Sequence, residues 1–496
     1  MGIARVNVLG GGPGGLLAAR LLATQPGFEV RVQEKLGEGA SHGFGVALTH
    51  AVLDRVSEVD AEAGRRLRGL TRPLSRWTLR RGSEAVTVDN RGGAAIGRTA
   101  MLQELRLLAT EAGARVSNGV VASVSDATEA DIVIGADGVG SATRNQFAEA
   151  LGATSEQVPL PYIWCGAPIS GDSMNLTLER TGHGIFTAHA MPYPGGRSTF
   201  QVDTTVAALA SAGFTADAGQ VTEEEGRATL EFLEATFADL LDGRRLESGR
   251  AHWSTFNVVR CQAWSHRNVV LVGDAAHTAH YTVGSGTRMA MEDALALARN
   301  LVASGGSTAA FAPYEADRRP AVEHLQWRAE RSQRWWASLE QRIDLPLSTI
   351  MLSYFTRTGS SALADVAMGN PAIVDAALER VRRPGSSPGI NGLEGRALAG
   401  HLLEPGDVSR FVQVPCDAIA PWSAGARKLA AATGAPVLLT GSTDRRQVLD
   451  RFDIAEGLRA STGASVAVEV PAQLAADAAV AIATERTDFA LLVEER

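Results

Sequence analysis

The chain has 496 residues, 45% of them hydrophobic, which is more than one ordinary domain holds and predicts two or three packed units. Its 47 basic and 55 acidic residues give a net charge of −8 without a long basic run, which argues against nucleic acid or an anionic membrane as a partner. The three cysteines, Cys165, Cys261 and Cys416, lie far apart with no C-x-x-C pair, which argues against a disulfide framework or a zinc site. No basic leader is visible and no apolar run nears the ~20 residues needed to span a bilayer, so a cytoplasmic protein without a metal is expected.

In chain order, Ala4 to Leu9 reads as a strand, Gly10 to Gly15 as a glycine loop, Leu16 to Ala23 as a helix and Phe28 to Gln33 as a second strand ending at Glu34. That is the length of a parallel βαβ crossover. A helix is expected at Thr99 to Ala112, then a strand around Arg115 to Val124 and another at Asp131 to Gly135. From about Val158 to Val206 short β-prone runs separated by Gly, Asp and Pro predict an inserted antiparallel sheet. Helical periodicity resumes at Glu223 to Leu241. The strand Asn268 to Val272 and the helix Met289 to Val302 then return to the first domain, and Ala316 to Leu339 reads as a long amphipathic helix suited to bracing the two parts. The run Arg383 to Gly389 has linker composition, and beyond it strands are expected at Phe411 to Val414, Pro436 to Thr440, Ser465 to Val470 and Phe489 to Val493. The expected class is therefore α/β. A Rossmann-type domain takes 1–157 and 258–382, an antiparallel-sheet substrate domain takes 158–257, and a small C-terminal α/β domain takes 383–496.

Gly10, Gly12 and Gly15 satisfy G-x-G-x-x-G where a strand feeds a helix. The first permits a tight turn, the second lets a pyrophosphate approach the backbone, and the third lets helix and strand pack. Pro13 and Gly14 open the helix, whose N-terminus favours diphosphate charge. Glu34 is placed to accept from an adenosine ribose. A flexible glycine turn is the plain alternative, and the loop alone does not separate FAD from NAD.

Two later segments carry a resemblance. Asp131 to Arg144, with Asp137-Gly138, resembles the Asp-Gly motif of the single-component (group A) FAD-dependent aromatic hydroxylases, and Asn268 to His277, with Gly273-Asp274, is similar to their Gly-Asp motif. Without the resemblance, Asp137-Gly138 is an ordinary turn and Asp274 an ordinary helix cap. With it, Asp274 is expected on a ribityl hydroxyl, and Gly284, Ser285, Gly286 and Thr287 are expected to turn backbone NH groups toward the flavin pyrimidine. The resemblance also implies cofactor contacts from Arg98 at a helix start, from Gly45 and Val46 in the loop Gly43 to Leu48, and from Lys35 and Val121.

Within that family, His277 to Asp293 looks like the subgroup acting on aromatic acyl-CoA thioesters, typified by salicylyl-CoA 5-hydroxylase and the monooxygenase part of 2-aminobenzoyl-CoA monooxygenase/reductase. Tyr281 stands where proline is usual. The likeness covers about residues 1 to 370. It implies bound FAD, NAD(P)H as reductant, O2 as co-substrate, and hydroxylation of an aromatic, CoA-bound ring through a flavin C4a-hydroperoxide, so that the cofactor carries the chemistry. His189, His280 and Tyr281 are nominated as catalytic residues that position the substrate or polarise its phenol, each with a packing role as the plain alternative. Arg318 and Arg319 are offered to CoA phosphates, with structural salt bridges as the equal reading. The tail is read as a reduced old-yellow-enzyme-like remnant, or else a docking or dimerisation domain, and a homodimer is the expected assembly. The rival activities are hydroxylation of a free aromatic acid, phenol or natural-product ring, and a flavoprotein reductase without oxygen insertion.

Overall fold

The computed structural model describes residues 3–37, 43–119, 129–216, 221–248, 251–387, 389–432 and 436–494. It divides into two compact units, one of residues 1–78 and 90–330 and the other of 79–89 and 331–496.

The first unit is built on a six-stranded sheet in the order Ser265–His266, Val269–Leu271, Ile132–Gly135, Ala4–Leu9, Phe28–Glu34, Arg115–Asn118. All neighbours run parallel except the edge pair. Val6, Val8, Ile132, Ile134, Val270 and Leu271 are fully buried, as expected of strands covered on both faces. Their C-terminal ends bring three turns together at one edge of this sheet: the loop after Leu9, the turn after Gly135 and the turn after Leu271. In an open α/β sheet that edge is where ligands bind.

The inserted strands lie in the order Ser254–Arg260, Thr154–Ala167, Arg197–Thr204, Gly184–Tyr193, Ser173–Thr181 within a seven-stranded sheet, and each pairs antiparallel with the next. They begin and end a few residues outside the expected 158–257. One face packs Phe186, Phe200 and Val202 against Leu233, Phe237 and Trp253. A three-stranded sheet of Gly45–Thr49, Gly93–Gly97 and Thr71–Pro73 joins it within the same unit. Thr199 bolts the two together, its hydroxyl donating to the Gly45 carbonyl at 2.7 Å and accepting from the Gly45 amide at 2.9 Å.

The second unit holds four parallel strands in consecutive order, Val412–Pro415, Val437–Thr440, Val466–Pro471 and Phe489–Val493, within a residue or two of the expected runs. Its boundary differs from the expected one. Residues 331–382 belong with the tail, because buried ion pairs hold them there: Arg331 to Asp453 at 3.1 Å and Arg342 to Glu456 at 2.5 Å. The helix Pro371–Val381 also packs on Ala475–Ala483. A charged pair more than a hundred residues apart leaves no local trace, whereas the Pro-Gly-Ser run at 383–389 does. Among the described residues no helix is long and apolar enough to cross a membrane.

Candidate active site

The glycine loop is tight where it must be and open where a ligand would lie. Gly10 has φ +110°, and a Cβ there would overlap the Ala136 carbonyl. A Cβ on Gly15 would strike the Gly10 carbonyl, and one on Gly14 would come within 2.9 Å of the Ala290 carbonyl. At Gly12 the nearest atom to such a Cβ is 3.9 Å away, so this glycine is not enforced by the protein's own packing. The helix Pro13–Ala23 starts with no side-chain cap, so the Gly14 and Gly15 amides of its first turn have no capping side chain. Glu34 is anchored by the amides of Gly11 (2.6 Å) and Leu36 (2.8 Å), which fixes its carboxylate at the strand end. Lys35 is exposed beside it, and Val121 lies outside the described residues.

The second turn is closed on itself. Asp137 accepts from the Ser141 hydroxyl at 2.5 Å and from the amide and hydroxyl of Thr143 at 2.9 and 3.0 Å. Gly138, at φ +79°, makes the bend, and a Cβ there would meet nothing within 4 Å. Buried Arg144 donates to the carbonyls of Val139 (2.7 Å) and Ala275 (3.2 Å), linking this turn to the third. Asp137 therefore folds its own turn.

The third turn is braced from below and unspent above. Asp293, fully buried, accepts from the Gly273 amide at 3.0 Å and meets His277 Nε2 at 2.8 Å and Arg318 at 2.9 Å. Burial works against its charge, yet His277 and Arg318 outweigh it and hold its pKa below the usual range. Arg318 is thus committed to Asp293 and Glu292, and Arg319 to Glu315, which favours the structural reading of both arginines. Asp274, by contrast, is solvent-accessible though surrounded by protein. Those surroundings raise its pKa, with His277 and Arg98 pulling the other way and Asp293 raising it further. Arg98, its guanidinium depressed by burial and favoured by Asp274, has no ion-pair partner within 4.0 Å among the described residues. The helix Gly286–Ala303 also lacks a side-chain cap; the Ser285 hydroxyl at its start is buried and unpartnered, and a Cβ on Gly286 would meet only the Asp274 carboxylate, at 3.8 Å. Gly284 turns at φ +60°, Thr287 is half-buried, and Gly45 and Val46 pair with Gly97 and Ile96, next to Arg98.

These unspent groups fit FAD. The uncapped start of the Pro13 helix and Arg98 suit its diphosphate, the uncapped start of the Gly286 helix its flavin pyrimidine, Glu34 its adenosine ribose and Asp274 a ribityl hydroxyl, and Gly12 and Gly286 leave the room.

The three nominated residues are brought together, and a residue missed in the sequence joins them. Tyr281 Oη donates to Asp203 Oδ1 at 2.5 Å, and His189 Nε2 lies 2.7 Å from Asp203 Oδ2. Gln201 Nε2 also donates to Asp203 Oδ1, at 3.0 Å. Burial opposes the Asp203 charge, but His189, Tyr281 and Gln201 more than compensate and keep its pKa below the ordinary value. Burial and the Asp203 charge push Tyr281 well above a normal tyrosine. His280 lies within 4.2 Å of the Tyr281 ring and 5.0 Å of Phe256. Burial lowers it to about 4, opposed by Asp203, so it is neutral at pH 7, and its Nε2 is buried without a partner. Tyr162, with its ring 4.8 Å from Tyr281, completes an aromatic wall. The signal for Asp203 was register: it pairs directly across from Tyr162 and stands diagonally from His189, whose partner is Gln201.

Residues 94–329 match the model of the FAD binding domain family. The chain is 34% identical to the 3-hydroxy-4-methyl-anthranilyl-[aryl-carrier protein] 5-monooxygenase of Streptosporangium sibiricum, over 73% of this chain and 97% of that protein. It is likewise 34% identical to salicyloyl-CoA 5-hydroxylase of a Streptomyces species, over 75% of this chain and 72% of that one. Among solved structures, the tetrameric form of 2-methyl-3-hydroxypyridine-5-carboxylic acid oxygenase shares the fold at 21% identity and a TM-score of 0.54, covering 71% of this chain and 96% of that one. PqsL of Pseudomonas aeruginosa, a probable FAD-dependent monooxygenase, does so at 18% identity and 0.51, covering 68% and 97%. The chain belongs to the single-component FAD-dependent aromatic hydroxylases. It is a flavin-dependent aromatic monooxygenase with FAD as its cofactor.

Proposed function

We propose that this monooxygenase hydroxylates an aromatic ring presented as an acyl-CoA thioester, with NAD(P)H as reductant and O2 as oxygen source. The observation that carries the reading is the pair of relatives at 34% identity, one named for salicyloyl-CoA and the other for an anthranilyl group on an aryl-carrier protein. The second of these favours one further reading, in which the same ring arrives on a carrier protein.

Bound FAD supplies the oxygen-transfer chemistry. Arg98, Asp274, Glu34 and the two uncapped helix starts hold it. The rings of Tyr162, Phe256, His280 and Tyr281 line the aromatic side of the pocket and exclude water from the reacting ring. His280, neutral at working pH, presents its free Nε2 to substrate or flavin, and Tyr281 presents its hydroxyl oxygen.

The test is coupling. Purified holoenzyme is supplied with NADH or NADPH and, separately, salicyloyl-CoA, 2-aminobenzoyl-CoA, their free acids, and the same acyl groups on a carrier protein; hydroxylated product and hydrogen peroxide are both measured. Product from the CoA thioesters, with little peroxide, is expected. Hydroxylation of free acids alone overturns the thioester reading, and activity on the carrier-bound ring alone selects the second.

A further inference from the structure

The second unit carries a cavity of its own, about 660 Å³ in volume, which is the size of a small-molecule site. Its walls all come from that unit: residues 333–341 on one side, Trp422 on another, and the helix Arg445–Thr462 on a third. None of the groups assigned to FAD or to the aromatic ring lies in it. Trp422 stands in the left-handed region at φ +61°, which a bulky residue adopts only where its surroundings impose it. Its ring lies against Gly457, where an added Cβ would come within 3.3 Å of Cζ3, and the Arg342 guanidinium is 5.7 Å from the ring centroid. The indole is therefore fixed in place, and with Leu458 it gives the cavity an apolar wall. The polar part of the lining is of two kinds. The side-chain amides of Gln333 and Gln341 make no hydrogen bond among the described residues, so each offers a donor and an acceptor side by side. Arg334, which donates to Asp450 at 2.9 Å, and Asp453 bring charge to the same walls. Burial works against the Asp453 charge, yet Arg331, Arg486, Arg334 and Arg342 outweigh it and hold its pKa below the usual range, so arginine charge dominates there.

We propose that this cavity binds the adenosine diphosphate group of a soluble nucleotide cofactor. The purine lies against Trp422 and Leu458, and a glutamine amide reads its edge, donating to N7 and accepting from the N6 amino group. Guanine presents two acceptors, N7 and O6, at the same edge, which a carboxamide cannot match at both points. The diphosphate falls to Arg334, whose planar fork suits phosphate oxygens. The assignment goes beyond the hydroxylation reaction and is independent of which ring the first unit oxidises. CoA and NAD(P)H both carry the group; the tightly held FAD carries it too, but its diphosphate is assigned to the glycine loop.

The experiment is photolabelling of the FAD-loaded full chain with 8-azido-ADP, the label being located by peptide mass spectrometry, with equilibrium dialysis of ADP and GDP alongside. Label is expected on peptides from 333–341 or 422–462, removed by excess ADP, and wild type is expected to bind ADP about 10-fold or more tighter than GDP. Gly457→Leu fills the cavity and is expected to weaken ADP at least about 10-fold with FAD content unchanged. A leucine there also crowds Trp422, so the double variant Gln333→Ala, Gln341→Ala, which breaks no hydrogen bond of the described residues, gives a second reading: ADP and GDP should come within about threefold of each other. Chase of the label by CoA alone names the acyl carrier as the source, and chase by NAD+ or NADP+ alone names the reductant; either supports the inference. Label confined to the glycine loop, label that ADP does not remove, equal affinity of wild type for ADP and GDP, or chase by ADP but by none of the cofactors would overturn it. Turnover of salicyloyl-CoA, measured on the same preparation, decides the thioester reading separately.

Discussion

The turn at Asp137-Gly138 and the turn at Gly273-Asp274 follow neighbouring parallel strands, Ile132–Gly135 and Val269–Leu271, and each sets one carboxylate at the same edge of the sheet. They use it in opposite ways. Asp137 spends its oxygens on Ser141 and Thr143, in three hydrogen bonds within its own turn. Asp274 spends none on side chains or amides of the described residues, while Asp293 takes over the bracing of Gly273 and His277. A carboxylate that folds a turn and one that is held ready for a ligand look alike as dipeptides. What separates them is whether their hydrogen-bonding capacity has been used, and the same contrast sets Gly15, walled in by its neighbours, against Gly12, which faces open space.

The strongest way to break this comparison is at the glycines. Gly12→Val should abolish FAD retention, at least a 100-fold loss in affinity since the side chain fills the diphosphate's room, while circular dichroism shows an intact fold. Gly15→Ala should instead cost stability itself, about 1–3 kcal/mol by overpacking, seen as a lower denaturation midpoint of the apoprotein. If both variants lose flavin equally and neither loses stability, the distinction between walled and open glycines has no force.

A second effect concerns His280, buried and lowered from 6.5 to about 4. Its folded form resists a proton that the unfolded chain accepts, so stability is full above about pH 6.5 and is lost as pH falls toward about 4, by on the order of 3 kcal/mol for this group. His280→Gln should flatten the stability curve across that window relative to wild type. Parallel curves would mean that the ring is not buried neutral.

The smallest expected effect bears on the two carboxylates directly. Asp274→Asn should weaken FAD about 10-fold, the worth of one charge-assisted hydrogen bond, with the apoprotein's urea midpoint unchanged. Asp137→Asn should do the reverse, costing about 1–2 kcal/mol of stability with flavin affinity altered only in proportion.

Legibility in the sequence followed the range of the interactions. Gly10 to Gly15, Glu34 and the Gly273 to Thr287 run are short-range patterns: a strand end, a turn and a helix start within a few residues, each with a distinctive composition. The four strands of the C-terminal unit were readable for the same reason. Asp203 was not, since Phe200-Gln201-Val202-Asp203 is an unremarked strand segment until antiparallel register sets it opposite Tyr162 and diagonal to His189. Nor was the unit boundary at 330, which depends on Arg331 and Arg342 meeting Asp453 and Glu456 across more than a hundred residues. The helix from Phe311 to Ala337 has the same charged character on either side of that point.

The proposed activity is the insertion of one oxygen atom from O2 into a thioester-borne ring, with bound FAD supplying the chemistry. Holoenzyme turned over with NAD(P)H and salicyloyl-CoA under isotopically labelled dioxygen tests it in one mass spectrum. The account predicts a single labelled oxygen in the ring of the CoA product. Consumption of NAD(P)H that yields only labelled hydrogen peroxide, with the thioester returned unchanged, would contradict it.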